Sequence, residues 1–164
     1  MAKFSVMGLE EYALKLSRLG TAAPSVAKMA LYEGAAVVIE AIKENIRALP
    51  VVENRRFRGS DKYLGITATN KNDLLNSVGV SPMDRNNDGD WNVKVGFDGY
   101  GSPKTITKKH KKGLPNVLLA RSIESGTSIR RKIPFVRPAI NASKAKVNAV
   151  MGAVIEREQR KIME

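Results

Sequence analysis

The chain has 164 residues, which is enough for one domain with a single hydrophobic core, and residues 1–164 are interpreted as one domain. Its hydrophobic content of 43% and charged content of 27% are typical of a globular protein, but 28 Lys and Arg against 16 Asp and Glu give a net charge of +12, which favours a polyanionic partner. The chain has no cysteine, which excludes disulfide bonds, thiolate metal sites and cysteine nucleophiles.

The first twenty residues predict a short helix. Glu10 and Glu11 interrupt their apolar positions, so this segment does not resemble a signal peptide. Residues 3–6 fit either a short strand or an ordered arm. Apolar residues at helical spacing from Leu9 to Leu19 predict a helix that Gly20 ends. No apolar run in the sequence approaches the length of a membrane span.

A second, longer helix is predicted to run to about Leu49, with Pro24 in its first turn and Pro50 after its end. Its apolar face consists of Leu31, Ala35, Val38, Ile42, Ile46 and Leu49. The same helix carries a patch of small residues, namely Ala27, Ala30, Ala35 and Ala36. Such a patch lets another helix approach closely, either from within the chain or from another subunit.

Residues 51–72 show no periodicity. They contain five scattered cations, namely Arg55, Arg56, Arg58, Lys62 and Lys71. A loop of this length is uncommon in a compact domain and is usually functional or disordered. We therefore predict a mobile basic loop that becomes ordered when a partner binds.

Alternating apolar residues predict an antiparallel hairpin with strands at residues 77–83 and 90–97. The connecting sequence Asp84-Arg85-Asn86-Asn87-Asp88-Gly89-Asp90 resembles the start of a calcium loop. However, Val95 stands where that loop needs a bidentate glutamate. We interpret the segment as a hairpin turn, because Asn, Asp and Gly tolerate positive φ. A lone hairpin is marginally stable, so the long helices are expected to cover it.

A second predicted mobile loop, residues 98–113, contains the densest basic run of the sequence. Its lysines are Lys104, Lys108, Lys109, Lys111 and Lys112. They are candidates for sequence-independent contact with phosphates in a DNA channel, and the alternative is a solvated loop with no target. His110 is the only histidine, and nothing in the sequence pairs it with a carboxylate and a nucleophile, so we assign it to the basic loop.

The spacing from Pro115 to Ile123 predicts a short amphipathic helix that ends at Gly126 in the left-handed conformation. Thr127 and Ser128 are expected to bond the freed backbone groups. Three solvated cations follow as further candidates for phosphate contact, namely Arg130, Arg131 and Lys132.

Two prolines then bracket an extended clip that presents Phe135 to the core. Each proline disfavours helix at the residue before it, so Ile133 and Arg137 are expected to be non-helical. Pro138 suits the first turn of a last helix, residues 138–163. The apolar stripe of that helix consists of Ile140, Val147, Met151, Val154 and Ile162. Trp91, like Phe135, is assigned to the core.

Together these elements predict the α+β class. A small, mostly antiparallel sheet packs against the two long helices, and long basic loops connect the elements.

The segments Glu124-Ser125-Gly126-Thr127-Ser128 and Pro134-Phe135-Val136-Arg137-Pro138-Ala139, followed by a long helix, resemble the signature of a bacteriophage family. It is the minor tail-component, or tail-completion, family of long-tailed, siphovirus-type phages. A helical N-terminal part and Asn72-Asp73-Leu74-Leu75-Asn76-Ser77-Val78 extend the resemblance over most of the chain, with the weakest match over residues 51–71. The residues that carry the motif are Gly126, Thr127, Ser128, Pro134, Phe135, Arg137 and Pro138.

The resemblance implies a structural virion protein of the head-tail neck, assembled in the host cytoplasm. Such a subunit would form a homo-oligomeric ring, expected to be six-fold, between the head connector and the tail terminator or tail tube. DNA would pass through the ring without sequence-specific contact. The sequence shows no phosphate-loop or metal-ligand pattern, so we expect no cofactor, no metal and no membrane partner.

Two other classes of function remain open. A stand-alone, non-specific DNA-binding protein would explain the charge, although the sequence contains no recognition-helix or aromatic stacking motif. A hydrolase or nuclease would need a carboxylate cluster for magnesium, or a nucleophile motif, and the sequence shows neither. We therefore expect a protein that is not an enzyme.

Overall fold

A computed structural model describes residues 9–53, 62, 64–102 and 106–163, with side chains from Leu14 onward. The elements of this part of the chain are α1 (Leu9–Ala48), α2 (Ala68–Ser77), β1 (Val78–Val80), β2 (Asp84–Arg85), β3 (Trp91–Asn92), β4 (Val95–Phe97), α3 (Asn116–Ser125) and α4 (Val136–Met163). They confirm the predicted α+β class. The strand or arm considered for residues 3–6, and the cations Arg55, Arg56, Arg58 and Lys104, lie outside the described residues.

The first two predicted helices are one continuous helix, α1, which contains both Gly20 and Pro24. The prediction of a break was wrong because tertiary packing outweighs a local cost of about 3 kcal/mol for an interior proline. Val26 and Ala30, just beyond the proline, are buried. Before it, Leu19 and Gly20 line a groove shared with Ile155 of α4. The α4 helix therefore packs against α1 on both sides of Pro24.

Helices α1 and α4 run antiparallel and approach each other closely. A Cβ added to Gly34 would lie 2.9 Å from Cγ and Sδ of Met151 and 3.3 Å from Cγ1 of Val147. Of the small-residue patch on α1, Ala30 and Ala35 are buried within the chain, whereas Ala36 is exposed. On α4 the buried positions are Ala139, Ser143 and Val154, whereas Ile140 of the predicted stripe is 47% exposed. The predicted stripe is therefore confirmed at Val147, Met151 and Val154, which face α1 or the core, and wrong at Ile140.

Helix α2 begins inside the stretch that the sequence predicted as a loop. Thr67 caps it, since its side chain accepts from the N–H of Asn70 at 3.1 Å, and the Glu53 carboxylate accepts from the N–H of Ala68 at 2.8 Å. The ammonium group of Lys71 donates to the carbonyls of Arg47 and Leu49, the latter at 3.0 Å. Residues 68–72 are therefore helical, and Lys71 caps the end of α1 instead of lying in a basic loop.

The antiparallel hairpin is confirmed, with shorter strands than predicted. Val80 pairs with Val95, and Asp84 pairs with Asn92, so three residues on one strand face two on the other. Pro82 lies in this bulge, where the ladder needs no N–H donor. The turn is also confirmed: the Asn86 side chain accepts from the N–H groups of Asp88 and Asp90, at 3.1 and 2.7 Å.

The core lies where α1, α2, α3 and the hairpin meet the start of α4. Its fully buried large side chains are Phe135, Ile46, Ile66, Leu74, Leu119 and Ile123. The Phe135 ring packs edge-on against Phe97 with centroids 5.9 Å apart, which confirms its assignment to the core. Trp91, by contrast, is half-buried and stacks under the Arg85 guanidinium at 4.0 Å. No helix in the described part of the chain is long and apolar enough to cross a membrane.

Candidate functional site

Glu124, near the end of α3, caps the first turn of α4. Its carboxylate accepts from the backbone N–H groups of Phe135, Val136 and Arg137 at 2.7, 2.9 and 3.1 Å. The next residue, Pro138, has no N–H to satisfy. One carboxylate therefore serves every donor of that turn and joins α3 rigidly to α4.

The pKa of Glu124 reflects two opposing effects. Burial raises the pKa of this carboxyl, but the three N–H donors and the Arg137 guanidinium, 3.9 Å away, stabilise the charged form and lower the pKa overall. The partial positive charge at the start of a helix acts in the same direction. Glu124 is thus held as a carboxylate.

The chain between α3 and α4 folds back into a tight turn at Gly126. This glycine has φ +74° with ψ 174°, so the positive φ was predicted correctly but the left-handed helical conformation was not. A Cβ here would lie 3.0 Å from the N of Lys132 and 3.1 Å from the O of Arg130. Such close backbone approach requires glycine.

Thr127 holds the rest of this turn. Its N–H donates to the carbonyl of Arg130 at 3.0 Å, and its hydroxyl oxygen accepts from the N–H groups of Arg130 and Ile129 at 3.1 and 3.4 Å. The prediction that Thr127 bonds freed backbone groups is confirmed. Ser128 is exposed, and its hydroxyl makes no such bond among the described residues.

The prediction for the segment that follows, the extended clip, is confirmed at some residues and wrong at another. Ile133 is non-helical, and its N–H donates to the carbonyl of Ile123 at 2.9 Å. Pro134 precedes α4, and Pro138 lies in its first turn, as predicted. Arg137, however, is helical, because Glu124 holds its N–H and so stabilises the first turn against the effect of the following proline.

The turn forms one wall of a cleft of about 440 Å³, the basic cleft. Its lining residues are Lys62, Ser125, Gly126, Thr127, Arg130, Arg131 and Lys132. Four of these described lining residues are cations and none is acidic. Arg131, Lys132 and Lys62 are exposed, but Arg130 is buried, with 5% exposure. The prediction of a solvated Arg130 was wrong, because the fold encloses its side chain in the wall of the cleft.

The predicted phosphate contacts fall on two separate surfaces. Lys108, Lys109, Lys111 and Lys112 are exposed, as a basic run should be, but they do not line the basic cleft. His110 between them is half-buried and lines a different cavity, of about 450 Å³, with Glu53 and Thr67. No spacing in the sequence indicated Lys62 as a partner of Arg131 and Lys132, because the fold alone brings it there.

The part of the chain that the structure describes contains no group of three or more His, Asp or Glu side chains arranged to hold a metal ion. Within the 84–90 turn, the Asp84 carboxylate accepts from the N–H of Arg85 at 2.8 Å, and that of Asp90 accepts from the Asn86 side chain at 3.4 Å. Comparison with protein-family models, with curated proteins and with solved structures finds no significant match.

Proposed function

We propose that the chain is a non-catalytic structural subunit of the head-tail neck of a long-tailed phage, a tail-completion protein that links the head connector to the tail. The observation that carries the proposal is the joint at Glu124. The two halves of the motif that resembles the tail-completion family are separated in sequence, yet Glu124 of one half bonds Phe135, Val136 and Arg137 of the other. Hydrogen bonds therefore join the two halves of the motif.

Assembly into a ring is supported by the first half of α1. At 1.5 Å per residue, α1 is about 60 Å long and α4 about 42 Å. Asn45 bonds the carbonyl of Phe135 at the start of α4, so the extra length of α1 lies at its N-terminal end. Here Leu14 and Leu16 are 52% and 47% exposed. Leu16, Leu19 and Val26 line an apolar groove of about 490 Å³ against Ile155. We infer that a second copy covers this groove in a head-to-tail contact, which closes a ring when the rotation allows it.

The charge supports DNA as the neighbour inside such a ring. Four exposed lysines at positions 108, 109, 111 and 112 and the basic cleft present positive charge on two surfaces. Lysine and arginine contacts to phosphates are independent of base sequence. A channel through which every segment of a genome passes needs such sequence-independent contacts.

The proposal is tested by measuring particle mass and imaging the purified full chain across a range of concentrations. We expect rings from the wild-type chain and monomers from Leu16→Glu. Ile140→Glu is the matched control, since Ile140 is also 47% exposed but lies outside the groove. The Ile140→Glu variant should still form rings.

A wild-type chain that stays monomeric at every concentration and still binds duplex DNA would favour the stand-alone DNA-binding alternative, which the basic cleft also supports. Heads and tails that join normally in phage lacking this chain would contradict the neck assignment directly.

A further inference from the structure

We propose that the basic cleft is a discrete binding site for one phosphate group of a nucleic-acid backbone. The inference rests on the cleft's geometry and needs neither a ring nor a virion, so it extends beyond the proposed function. It also distinguishes the cleft from the lysine run at 108–112, since the sequence analysis gave both only as candidates for phosphate contact.

The first argument is charge. Lys62 comes from a segment remote in sequence from Arg131 and Lys132, so the cations line the cleft from two parts of the chain. Among the described lining residues no carboxylate offsets them. Like charges held together in this way repel, and a bound anion relieves that repulsion.

The second argument is preorganisation. At Gly126 the backbone of Arg130 and Lys132 approaches so closely that a Cβ would lie about 3 Å from it. Thr127 holds the turn by three hydrogen bonds. Glu124, at the end of α3, bonds the start of α4 across the segment. The turn therefore loses little conformational freedom when a ligand binds. The lysine run lacks this support from two helices.

The third argument is the chemistry of the donors. Arg131 offers a planar fork that matches two oxygens of a phosphate, and Lys132 and Lys62 add ammonium donors. The Thr127 hydroxyl accepts in both of its backbone bonds, so its proton remains available to donate. Cations and hydroxyls that surround one space suit a tetrahedral oxyanion, and the absence of apolar side chains from the described lining leaves little to hold a peptide.

The volume fits this ligand. The basic cleft, of about 440 Å³, is open to solvent and has room for a phosphodiester group. One backbone phosphate would therefore enter the cleft while the rest of the nucleic acid stays on the surface. The lysine run then acts at longer range.

The test compares two double variants of the full chain with equal loss of charge. Arg131→Gln with Lys132→Gln removes cations from the cleft, and Lys108→Gln with Lys109→Gln removes them from the lysine run. All four side chains are exposed, so both variants should fold. Without added anion, the 131/132 variant should unfold at or slightly above the wild-type temperature, because it loses cations that repel one another, and the phosphate-free samples give this baseline for each protein.

Two probes are used. Inorganic phosphate at constant ionic strength should raise the unfolding temperature of the wild-type chain and of the 108/109 variant, but not that of the 131/132 variant. Binding of a fluorescent duplex is measured over a series of salt concentrations. Here the 131/132 variant should lose about 0.9 from the slope of log K against log salt, the amount for one phosphate contact, and the 108/109 variant should lose less.

Equal phosphate responses in both variants would overturn the site. A phosphate response confined to the cleft, but with equal duplex slopes in the two variants, would overturn nucleic acid as its source and leave a free phosphate compound. Neither result depends on the oligomeric state, so the inference fails or holds separately from the neck assignment. Lys62→Gln should weaken both responses, and it tests whether the cation from the other segment takes part.

Discussion

Glu124 is the residue on which the joint between α3 and α4 depends. Its side chain is 13% exposed, and it replaces the hydrogen bonds that the first turn of a helix otherwise takes from water or from a local cap. A helix that begins with a proline in its first turn and no Ser, Thr, Asp or Asn cap would be poorly defined without it. The cap comes instead from the preceding helix.

Replacing Glu124 by Gln should destabilise the protein by about 1–3 kcal/mol, because a neutral amide oxygen replaces a charged acceptor of three N–H groups. The free energy of unfolding is measured by urea denaturation. Glu40→Gln is the control, since Glu40 pairs with Arg47 at 2.7 Å on an exposed surface and should change stability little. Equal losses in the two variants would mean that the cap does not hold the joint.

The same carboxyl predicts a pH dependence. Its pKa is lower in the folded chain than the ordinary value of 4.5, so its contribution to stability is complete above that value and is lost as the pH falls through the folded-state pKa. Wild-type stability should therefore fall more steeply below pH 4.5 than that of Glu124→Gln. Parallel pH profiles of the two proteins would contradict the lowered pKa.

Phe135 is the central aromatic residue of the core. Because the ring is fully buried and packs against Phe97, Phe135→Ala should destabilise the protein by about 3–5 kcal/mol. Ile129→Ala, at a position 46% exposed in the adjacent turn, should have a small effect. Denaturant unfolding measures both, and a loss below about 1 kcal/mol for Phe135→Ala would be inconsistent with a buried ring.

At the scale of elements, α1 provides two glycines in opposite environments. Gly20 is exposed, and an added Cβ would meet nothing within 4 Å, whereas one at Gly34 would press on Met151. Gly20→Ala should therefore stabilise the protein by about 0.5–1 kcal/mol through helix propensity. Gly34→Leu should destabilise it by about 1–3 kcal/mol through overpacking. Thermal unfolding of the two variants gives the comparison, and a stabilising Gly34→Leu would contradict the close approach of α4.

The elements that the sequence predicted correctly are those set by local pattern. The alternation around Trp91 and Phe97 specifies the hairpin, and the periodicity from Leu31 to Leu49 specifies the second half of α1. The continuation of α1 through Gly20 and Pro24 depends instead on α4, which the local sequence does not encode. The start of α2 depends in part on Glu53, a polar side chain from another segment, whereas its Thr67 cap is a local signal.

The residues of the candidate site also divide into those that a local pattern predicts and those that only the fold brings into place. Arg131 and Lys132 were predictable as clustered cations, and Gly126 as a position of positive φ. Lys62, the buried state of Arg130 and the role of Glu124 were not, because each arises from the meeting of segments in space. Composition predicts the sign of the charge but not where it converges.

The segment that contains the lysine run should be removable without unfolding the rest of the molecule. Tyr100 and Pro115 form an antiparallel bridge, and the N–H of Gly101 donates to the carbonyl of Leu114 at 2.8 Å, so the two ends of the loop are tied together. Deleting residues 104–112 leaves Ser102, Pro103 and Gly113 between these ends, and Gly113 already has φ +98°. A three-residue connection with such a glycine is a normal hairpin loop.

We therefore expect the deletion to change the free energy of unfolding by less than about 1 kcal/mol, since shortening a loop alters closure entropy only slightly. It removes five lysines, so the net charge falls from +12 to +7. Association with duplex DNA should slow, most clearly at low salt, because long-range attraction weakens. The response of the unfolding temperature to inorganic phosphate should remain, since the basic cleft is intact.

The control is the full-length loop with the same five lysines replaced by Gln, which removes the charge without shortening the chain. If both proteins fold and bind DNA equally slowly, the run acts through its charge alone. If only the deletion unfolds, residues 104–112 contribute to the core through His110 and its neighbours, and the assignment of this segment as a separable basic loop is wrong.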